Sequence, residues 1–243
     1  MQNTYAKEYY DTYLKQLPTD YKSARWFSSA EAKLDYAETR RSLLAALRTA
    51  SFSRVLEIGP GDGVWTDLLL PKAKELTLVD QSVEMIERAK ERLKSQTNVT
   101  YEVIDFLQYQ STAAYDLIFA IRCFEYFEDK EKAVANFSQL LNAGGQVVLV
   151  TKNPKHVAMK KVQNRELHKG QIQRDEMVAL FTRHGFEVTS VLSATWRFKA
   201  KYWPLRVLFS LLHSWHVATN GKFTVPFVTV PLTESYLYVA RKR

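Results

Sequence analysis

From Ser53 onward the hydrophobic rhythm of the chain alternates between two periods, and this alternation limits the fold more than any other feature. SRVLEIG, ELTLVD, NVTYEVID, YDLIFAI and GQVVLVTKN are short apolar runs that read as strands. SVEMIERAKERL and DKEKAVANFSQLL read as amphipathic helices, the first capped by Ser82 and the second followed by Gly144-Gly145. GVWTDLLL, ended by Pro71, predicts a further helix between the first two strands. RDEMVALFTRHGF, closed by Gly185, is another helix, FEVTSVLSAT a sixth strand and ESYLYVARK the last. Strands separated by helices build parallel units with right-handed crossovers. The expected fold is therefore α/β, a doubly wound Rossmann-like sheet with helices on both faces and ligands outside the carboxyl ends of its strands.

Two parts lie outside the alternation. Residues 1–50 read as helices, with Ser28 or Ser29 as a cap, Glu31 near the helix start, and Leu34, Leu43, Leu44 and Leu47 on one stripe. Residues 196–233 read as an insertion before the last strand, 234–243, leaving 51–195 as the core; the insertion is expected to cap the substrate site. Inside it, YWPLRVLFSLLHSWHV is 16 residues long and contains Arg206, His213 and His216. A membrane span needs roughly 20 apolar residues, so this segment is not one. It fits a cap helix with Pro204 in its first turn, an interfacial helix with Lys199, Lys201 and Arg206 at anionic headgroups, or an ordinary packing helix.

The turn after the first strand holds the chemistry. VLEIGPGDGVW places Gly59, Gly61 and Gly63 within five residues, in a chain with eight glycines. A dinucleotide fingerprint spaces its glycines G-x-G-x-x-G, and here Val64 stands at the third glycine's place. A phosphate-binding loop of the G-x-x-x-x-G-K-[ST] type is missing its Gly-Lys. Glu57 and Asp62 flank the turn, and two carboxylates there oppose a pyrophosphate and suit a cationic ligand. S-adenosylmethionine, with a sulfonium, an ammonium and one carboxylate, is such a ligand.

E-I-G-P-G-D-G resembles the nucleotide-binding turn of the class I S-adenosylmethionine-dependent methyltransferases, and LTLVDQS, VIDFLQY, YDLIFAIRCFEYFED and HGFEVTSV resemble the family's later motifs in order. The likeness is to the small-molecule branch and covers about Ser53 to Thr195 plus the last strand. It implies a seven-stranded sheet, mostly parallel with the last strand antiparallel. It implies that Asp80 accepts from the ribose hydroxyls, that Asp105 meets the adenine amino group, and that the Phe106 N–H serves a ring nitrogen. Glu57, Gly59, Pro60, Gly61, Gly63, Trp65, Gln81, Met85, Ala120, Ile121 and Arg122 are expected to complete the cofactor site. Gly59 and Gly61 would admit the methionine part, and Gly63 would let a helix start close to the strand.

Methyl transfer needs alignment more than a catalytic group, and a base only for an unactivated acceptor. Glu125 and His156 are the candidate bases; relatives often carry histidine where Tyr126 stands. Tyr21, Trp26, Tyr126 and Lys152 are candidate substrate contacts, and Tyr21, Arg25 and Trp26 are candidates for a lid over the cofactor. Cys123 follows Arg122 rather than the proline of cytosine-C5 enzymes, so it reads as a wall residue. IRCFEY has no Asn/Asp-Pro-Pro-aromatic run, which removes the main signal of adenine-N6 chemistry. No metal site is expected.

Charge bears on the acceptor. Residues 1–150 carry a net −3 and residues 151–243 a net +11. Lys152, Lys155, Lys160, Lys161, Arg165, Lys169 and Arg174 follow the fifth strand with one acid, Glu166, among them. Such a run suits a phosphorylated or amphiphilic small acceptor of sugar, quinone or lipid-linked type, with a peripheral contact to anionic lipid. The alternatives are an RNA methyltransferase steered by the basic half, less favoured, and a non-catalytic cofactor-binding scaffold. One cysteine, and a polar start lacking the apolar stretch of a signal peptide, predict a cytoplasmic protein, and the basic half allows it a peripheral place at the membrane.

Overall fold

The computed structural model describes residues 4–17, 20–48, 51–156, 170–197, 203–224 and 232–243. Seven strands among them form one sheet: β1 Phe52–Ile58, β2 Ala73–Asp80, β3 Val99–Val103, β4 Tyr115–Ile121, β5 Leu141–Lys152, β6 Phe186–Trp196 and β7 Thr233–Lys242. Their order is β3-β2-β1-β4-β5-β7-β6, with β7 antiparallel to both β5 and β6 and the other pairs parallel. The sheet thus has the expected doubly wound form with one reversed strand. The order reverses between β1 and β4, so their carboxyl ends diverge into a crevice.

Period-two alternation divides the core between the faces of the sheet. Leu117, Phe119, Val148 and Val150 pack with Leu43, Leu47 and Trp65 on one side. Ile118, Ala120, Val147 and Leu149 pack on the other with Phe137 of α5 (Lys130–Leu140) and Phe181 of α6 (Arg174–Arg183). Helix ends follow their caps. Ser82 Oγ accepts from Met85 N–H at the start of α4 (Val83–Arg92), and Gln173 and Glu176 form a capping box on α6.

The predicted helix after β1 is corrected. Only one 3-10 turn, Thr66–Leu68, lies between β1 and β2. Gly63 sits at φ +79°, outside helical space, and Pro71 follows closely, leaving too few residues to repay helix nucleation. Gly63 therefore starts no helix; a Cβ there would meet Leu93 Cδ1 at 3.3 Å, so it lets the end of α4 approach. Strand β5 also begins earlier than expected, at Leu141, and runs through the Gly144-Gly145 pair.

The chain start forms α1 (Thr4–Lys15), α2 (Tyr21–Trp26) and α3 (Ala30–Ala46), with Ser29 capping α3 through the Ala32 N–H. The stripe on α3 holds for Leu43 and Leu47, whereas Leu44 is exposed. The rest of its buried face is polar: Ser42 Oγ donates to Ala194 O at 3.1 Å, and Glu38 accepts the Trp196 N–H at 2.8 Å. Helix α7 (Trp203–Ala218) packs on α3 and β6 at the sheet edge. Its two histidines satisfy both backbone groups of Ser193 on that edge strand: His213 Nε2 meets the carbonyl at 3.0 Å, and His216 Nε2 accepts the N–H at 3.0 Å. No helix among the described residues is long and apolar enough to cross a membrane. Lys160, Lys161, Arg165, Glu166, Lys169, Lys199, Lys201 and Tyr202 lie outside the described residues.

Candidate active site

A cavity of about 450 Å³ opens at the carboxyl ends of β1–β5, within the range of about 300–1,000 Å³ usual for small-molecule sites. Its floor is the glycine turn. Gly59, at φ +63°, lies so close to the loop after β4 that an added Cβ would stand 2.6 Å from Cys123 Cβ; no other residue fits. Around Gly61 the nearest side-chain atoms, Tyr21 Cε1 and Met85 Sδ, are 3.8 and 3.9 Å from such a Cβ, so the main chain is open to a ligand. Cys123 Sγ donates to Ile58 O at 3.1 Å and burial raises its pKa, as a wall residue rather than a nucleophile.

One end of the cavity is acidic. Asp62 and Asp105 line it from the loops after β1 and β3, and Asp80 from the last position of β2. Burial pushes Asp80 up to about 6, opposed by the backbone N–H groups of Ser82, Gly61 and Gln81; the Ser82 N–H reaches Oδ1 at 3.0 Å. Asp105 Oδ1 accepts the Leu107 N–H at 3.0 Å, which fixes its carboxylate at the end of the loop. Asp62 Oδ1 is buried without a hydrogen-bond partner among the described residues, and burial raises its pKa against the pull of Arg92. A buried carboxylate oxygen lacking a donor suits an ammonium or sulfonium and repels phosphate. The residues therefore fit S-adenosylmethionine.

The other end is basic. Arg122 follows β4 at φ +59°, a strained conformation for a side-chain-bearing residue, and its Nη2 donates to Asp35 Oδ1 on α3 at 2.7 Å. Arg25 stands 3.6 Å from the same carboxylate and 4.1 Å over the Trp26 ring. Lys152, at the end of β5, pairs with Glu234, which also takes Arg197 at 3.0 Å. Burial would raise the Glu234 pKa, but Lys152, Arg122 and Arg197 outweigh it and hold the carboxyl well below its ordinary range. Glu125 also lines the cavity, buried and held by Thr151 Oγ1 at 3.0 Å.

The chain start closes the opening. Asp11 on α1 accepts from Ser82 Oγ at 2.5 Å, and the Tyr10 and Tyr126 hydroxyls meet at 2.8 Å. Tyr21 lines the cavity, and Trp26 stands edge-on to Trp65 at 5.1 Å. Trp65 in turn stacks on Tyr36 at 5.1 Å. Burial raises the Tyr10, Tyr21 and Tyr126 hydroxyls above their ordinary pKa, so these phenols act as neutral hydrogen-bonding groups.

Most of the residues named from sequence converge here: Gly59, Pro60, Gly61, Trp65, Asp80, Gln81, Met85, Asp105, Phe106, Ile121, Arg122, Glu125, Tyr21, Trp26, Tyr126 and Lys152 all line the cavity. Four do not. Ala120 points to the opposite face by strand alternation, among the residues packed on α5 and α6. Gly63 faces α4. Glu57 is buried beneath the turn, where Thr66 Oγ1 donates to it at 2.6 Å. Burial pushes its pKa up to about 8, which favours the protonated form and weakens the charge it brings to the ligand's surroundings. His156 is buried with Nε2 3.3 Å from Arg197 O, and burial lowers its pKa; it stands outside the cavity wall and is not placed as a base. The insertion is expected from sequence to cap the cavity, but α7 contributes no lining residue, and of the described insertion only Arg197 does. Sequence reasoning misses Asp35 and Glu234 as counter-ions. Glu234 carries a signal, being the one acid after Glu187 in a basic tail.

A family model described as a methyltransferase domain matches residues 30–191. An uncharacterized methyltransferase of Bacillus cereus is 38% identical over 100 residues, spanning 40% of this chain and 46% of the relative, just under half its length. Among solved structures, the N-methyltransferase NodS from Bradyrhizobium japonicum WM9 in complex with S-adenosyl-L-homocysteine superposes with a TM-score of 0.61 at 18% identity, covering 90% of this chain and 95% of that one. Haemonchus contortus phosphoethanolamine N-methyltransferase 2 in complex with S-adenosyl-L-methionine gives 0.62 at 18% identity, covering 84% and 52%. The chain belongs to the methyltransferase-domain family, the S-adenosylmethionine-dependent methyltransferases of the class I fold.

Proposed function

We propose that the cavity binds S-adenosylmethionine at its acidic end and a small, amphiphilic or phosphorylated acceptor at its basic end, and that the protein transfers a methyl group between them. The observation that carries this reading is the pairing of the open glycine turn with Asp62, Asp80 and Asp105 at three successive strand ends. Bound there, the cofactor supplies an electrophilic methyl on a sulfonium. Asp80 would hold the ribose hydroxyls, since one carboxylate accepts from two neighbouring donors, and Asp105 with the Phe106 N–H would hold the adenine. The open main chain at Gly61 and the unpaired Asp62 oxygen would take the amino-acid part.

The chain's own contribution to the chemistry is alignment in a site closed by α1 and α2. Glu125, fixed by Thr151, would take the proton where the acceptor is a hydroxyl or amine. Titration calorimetry tests the cofactor reading: S-adenosyl-L-homocysteine should bind and NAD should not, and the reverse result sinks it.

The outer face of α7 favours an amphiphilic acceptor. Leu205, Val207, Leu208, Leu211 and Trp215 are exposed on one helix, with Trp215 at 64%. We read this strip as a peripheral membrane contact of a cytoplasmic protein. Co-sedimentation with anionic vesicles at low salt checks it, and Leu211→Glu with Trp215→Glu should abolish the binding.

A further inference from the structure

We propose that the basic end of the cavity is an oxyanion subsite for the acceptor, in which a carboxylate or phosphate of the molecule to be methylated rests on Arg122, with Lys152 and Arg25 beside it. The proposal rests on the cofactor-and-acceptor reading of the same cavity and adds to it the requirement of an acidic group on the acceptor and the side chains that hold that group.

The Arg122 side chain is 8% exposed. One of its nitrogens is satisfied by Asp35, while Nε and Nη1 are buried with no acceptor among the described residues. A buried charged donor left unpaired is among the costliest polar arrangements a protein retains. The neighbours do not relieve it. Asp35 is shared between Arg122 and Arg25, and Glu234 between Lys152 and Arg197. Four cations thus divide two carboxylates, and those two carboxylates stand behind the wall while all four cations line the cavity. Glu125 also lines the cavity, but among the described residues no ion pair joins it to any of these four cations. Burial lowers the pKa of Lys152, and the nearby Arg122 charge lowers it further. An oxyanion entering from the cavity supplies the missing acceptors and offsets the mutual repulsion of the cations. The strained backbone at Arg122 fits a residue held in place for a ligand.

The rival occupant is the carboxylate of the cofactor's own methionine part, and the test separates the two. The full-length protein is saturated with S-adenosyl-L-homocysteine and titrated with phenyl phosphate, benzoate, inorganic phosphate and, as the neutral control, benzyl alcohol. Binding is followed by the fluorescence of Trp26 and Trp65, which line the cavity. The aromatic anions should bind at least ~10-fold tighter than benzyl alcohol, as charge-assisted bonds to a guanidinium warrant. Their order against each other and against inorganic phosphate tells a carboxylate, a phosphate ester and free phosphate apart. Arg122→Gln should remove that preference and, in departure from the sequence expectation that sets Arg122 at the cofactor, change S-adenosyl-L-homocysteine affinity less than ~3-fold.

Equal binding of benzyl alcohol overturns the proposal. So does an Arg122→Gln variant that weakens S-adenosyl-L-homocysteine but leaves 5′-methylthioadenosine, which lacks the carboxylate, unaffected. Where Arg122→Gln fails to fold by circular dichroism, Arg25→Gln and Lys152→Met serve in its place. Each should weaken the anionic probes at least ~3-fold, and no loss from either also overturns the subsite. Failure of the wild-type protein to bind S-adenosyl-L-homocysteine would instead overturn the cofactor reading, and the phosphate titration of the ligand-free protein would then still judge the subsite.

Discussion

The two ends of the cavity are built in opposite ways. The acidic end comes from one contiguous stretch, Gly59 to Phe106, in which each strand delivers its carboxylate or open backbone at its own tip. The basic end is assembled from Arg25, Asp35, Arg122, Lys152, Arg197 and Glu234, brought together by two helices and four strand ends. At the acidic end the main chain does much of the binding and the carboxylates are isolated from one another by loops. At the basic end the side chains neutralise each other, and function depends on the imbalance that remains. The first arrangement suits a constant ligand; the second can change with the acceptor while the sheet stays the same.

Glu125 lines the cavity and is the one candidate base on its wall, so it gives the largest expected effect. Glu125→Gln keeps the size and the bond to Thr151 but cannot take a proton. With an acceptor found by labelled-methyl assay of extract fractions, the variant should lose ~10²–10⁴ in kcat, with S-adenosyl-L-homocysteine affinity within ~2-fold. An unchanged kcat would make Glu125 a structural residue and return the chemistry to alignment alone.

The ends should also titrate with opposite sign. Glu57, beneath the glycine turn, is pushed up to about 8, and Asp80 to about 6. A carboxyl whose folded pKa is raised keeps a proton that the unfolded chain releases, so the folded state binds more protons. Its contribution to stability is complete below its ordinary value and declines as pH rises toward the folded value. Each such group lowers stability by about 1.4 kcal/mol per pH unit inside that window. Glu38, under α3, is pushed up to about 8 by burial and acts in the same direction. Glu234 is the reverse case: its folded pKa is depressed, so its contribution is present above its ordinary value and lost as pH falls below it. Melting of the ligand-free protein should therefore show stability falling from about pH 5 to pH 8 and, separately, falling below about pH 4.5. Glu57→Gln should make the upper limb shallower by about 1.4 kcal/mol per pH unit, leaving the share of Glu38 and Asp80, and should leave the lower limb untouched.

The same contrast explains what can be read from the sequence. Asp80 and Asp105 are legible because a strand is a local pattern and its last residue marks the site. Glu57 is legible as a position but not as a charge, since burial and the Thr66 hydroxyl decide its protonation and neither is a local property. The helix expected after β1 fails on the backbone conformation of Gly63, which an amphipathic pattern does not register. The α7 segment reads as apolar, yet its buried face carries His213 and His216 for the edge of β6, and Leu205, Val207, Leu208, Leu211 and Trp215 lie outside. Asp35 is invisible because its pairing with Arg122 spans 87 residues and depends on how α3 lies against the end of β4.

Asp80→Ala tests the acidic end alone. Removing bonds to a charged acceptor costs ~1.5–3 kcal/mol, so cofactor affinity should fall ~10–150-fold by calorimetry. Binding of phenyl phosphate should change less than ~2-fold, because Asp80 lies at the opposite end. A fall in both would mean that the ends are coupled and that the comparison is wrong.

The smallest effects concern α1, which bridges the two ends. Asp11 ties it to Ser82 beside Asp80, and Tyr10 ties it to Tyr126 beside Glu125. The Tyr10–Tyr126 tie is a single neutral hydrogen bond, worth about 1 kcal/mol net, or roughly a factor of 5 in the opening equilibrium, and the Ser82–Asp11 tie, to a carboxylate, is worth somewhat more. Tyr10→Phe removes one hydroxyl and leaves the Tyr9, Tyr13 and Tyr126 ring contacts of α1 in place. Amide exchange across α1 should speed up ~5-fold, with S-adenosyl-L-homocysteine dissociation changed less than ~2-fold, because the tie at the cofactor end persists. Asp11→Ala, which removes the acceptor of the Ser82 hydroxyl, should give at least the same exchange gain but also speed dissociation by a similar factor. Equal effects of both variants on dissociation would show that α1 opens as one rigid piece, and that the two ends of the cavity share one lid rather than two latches.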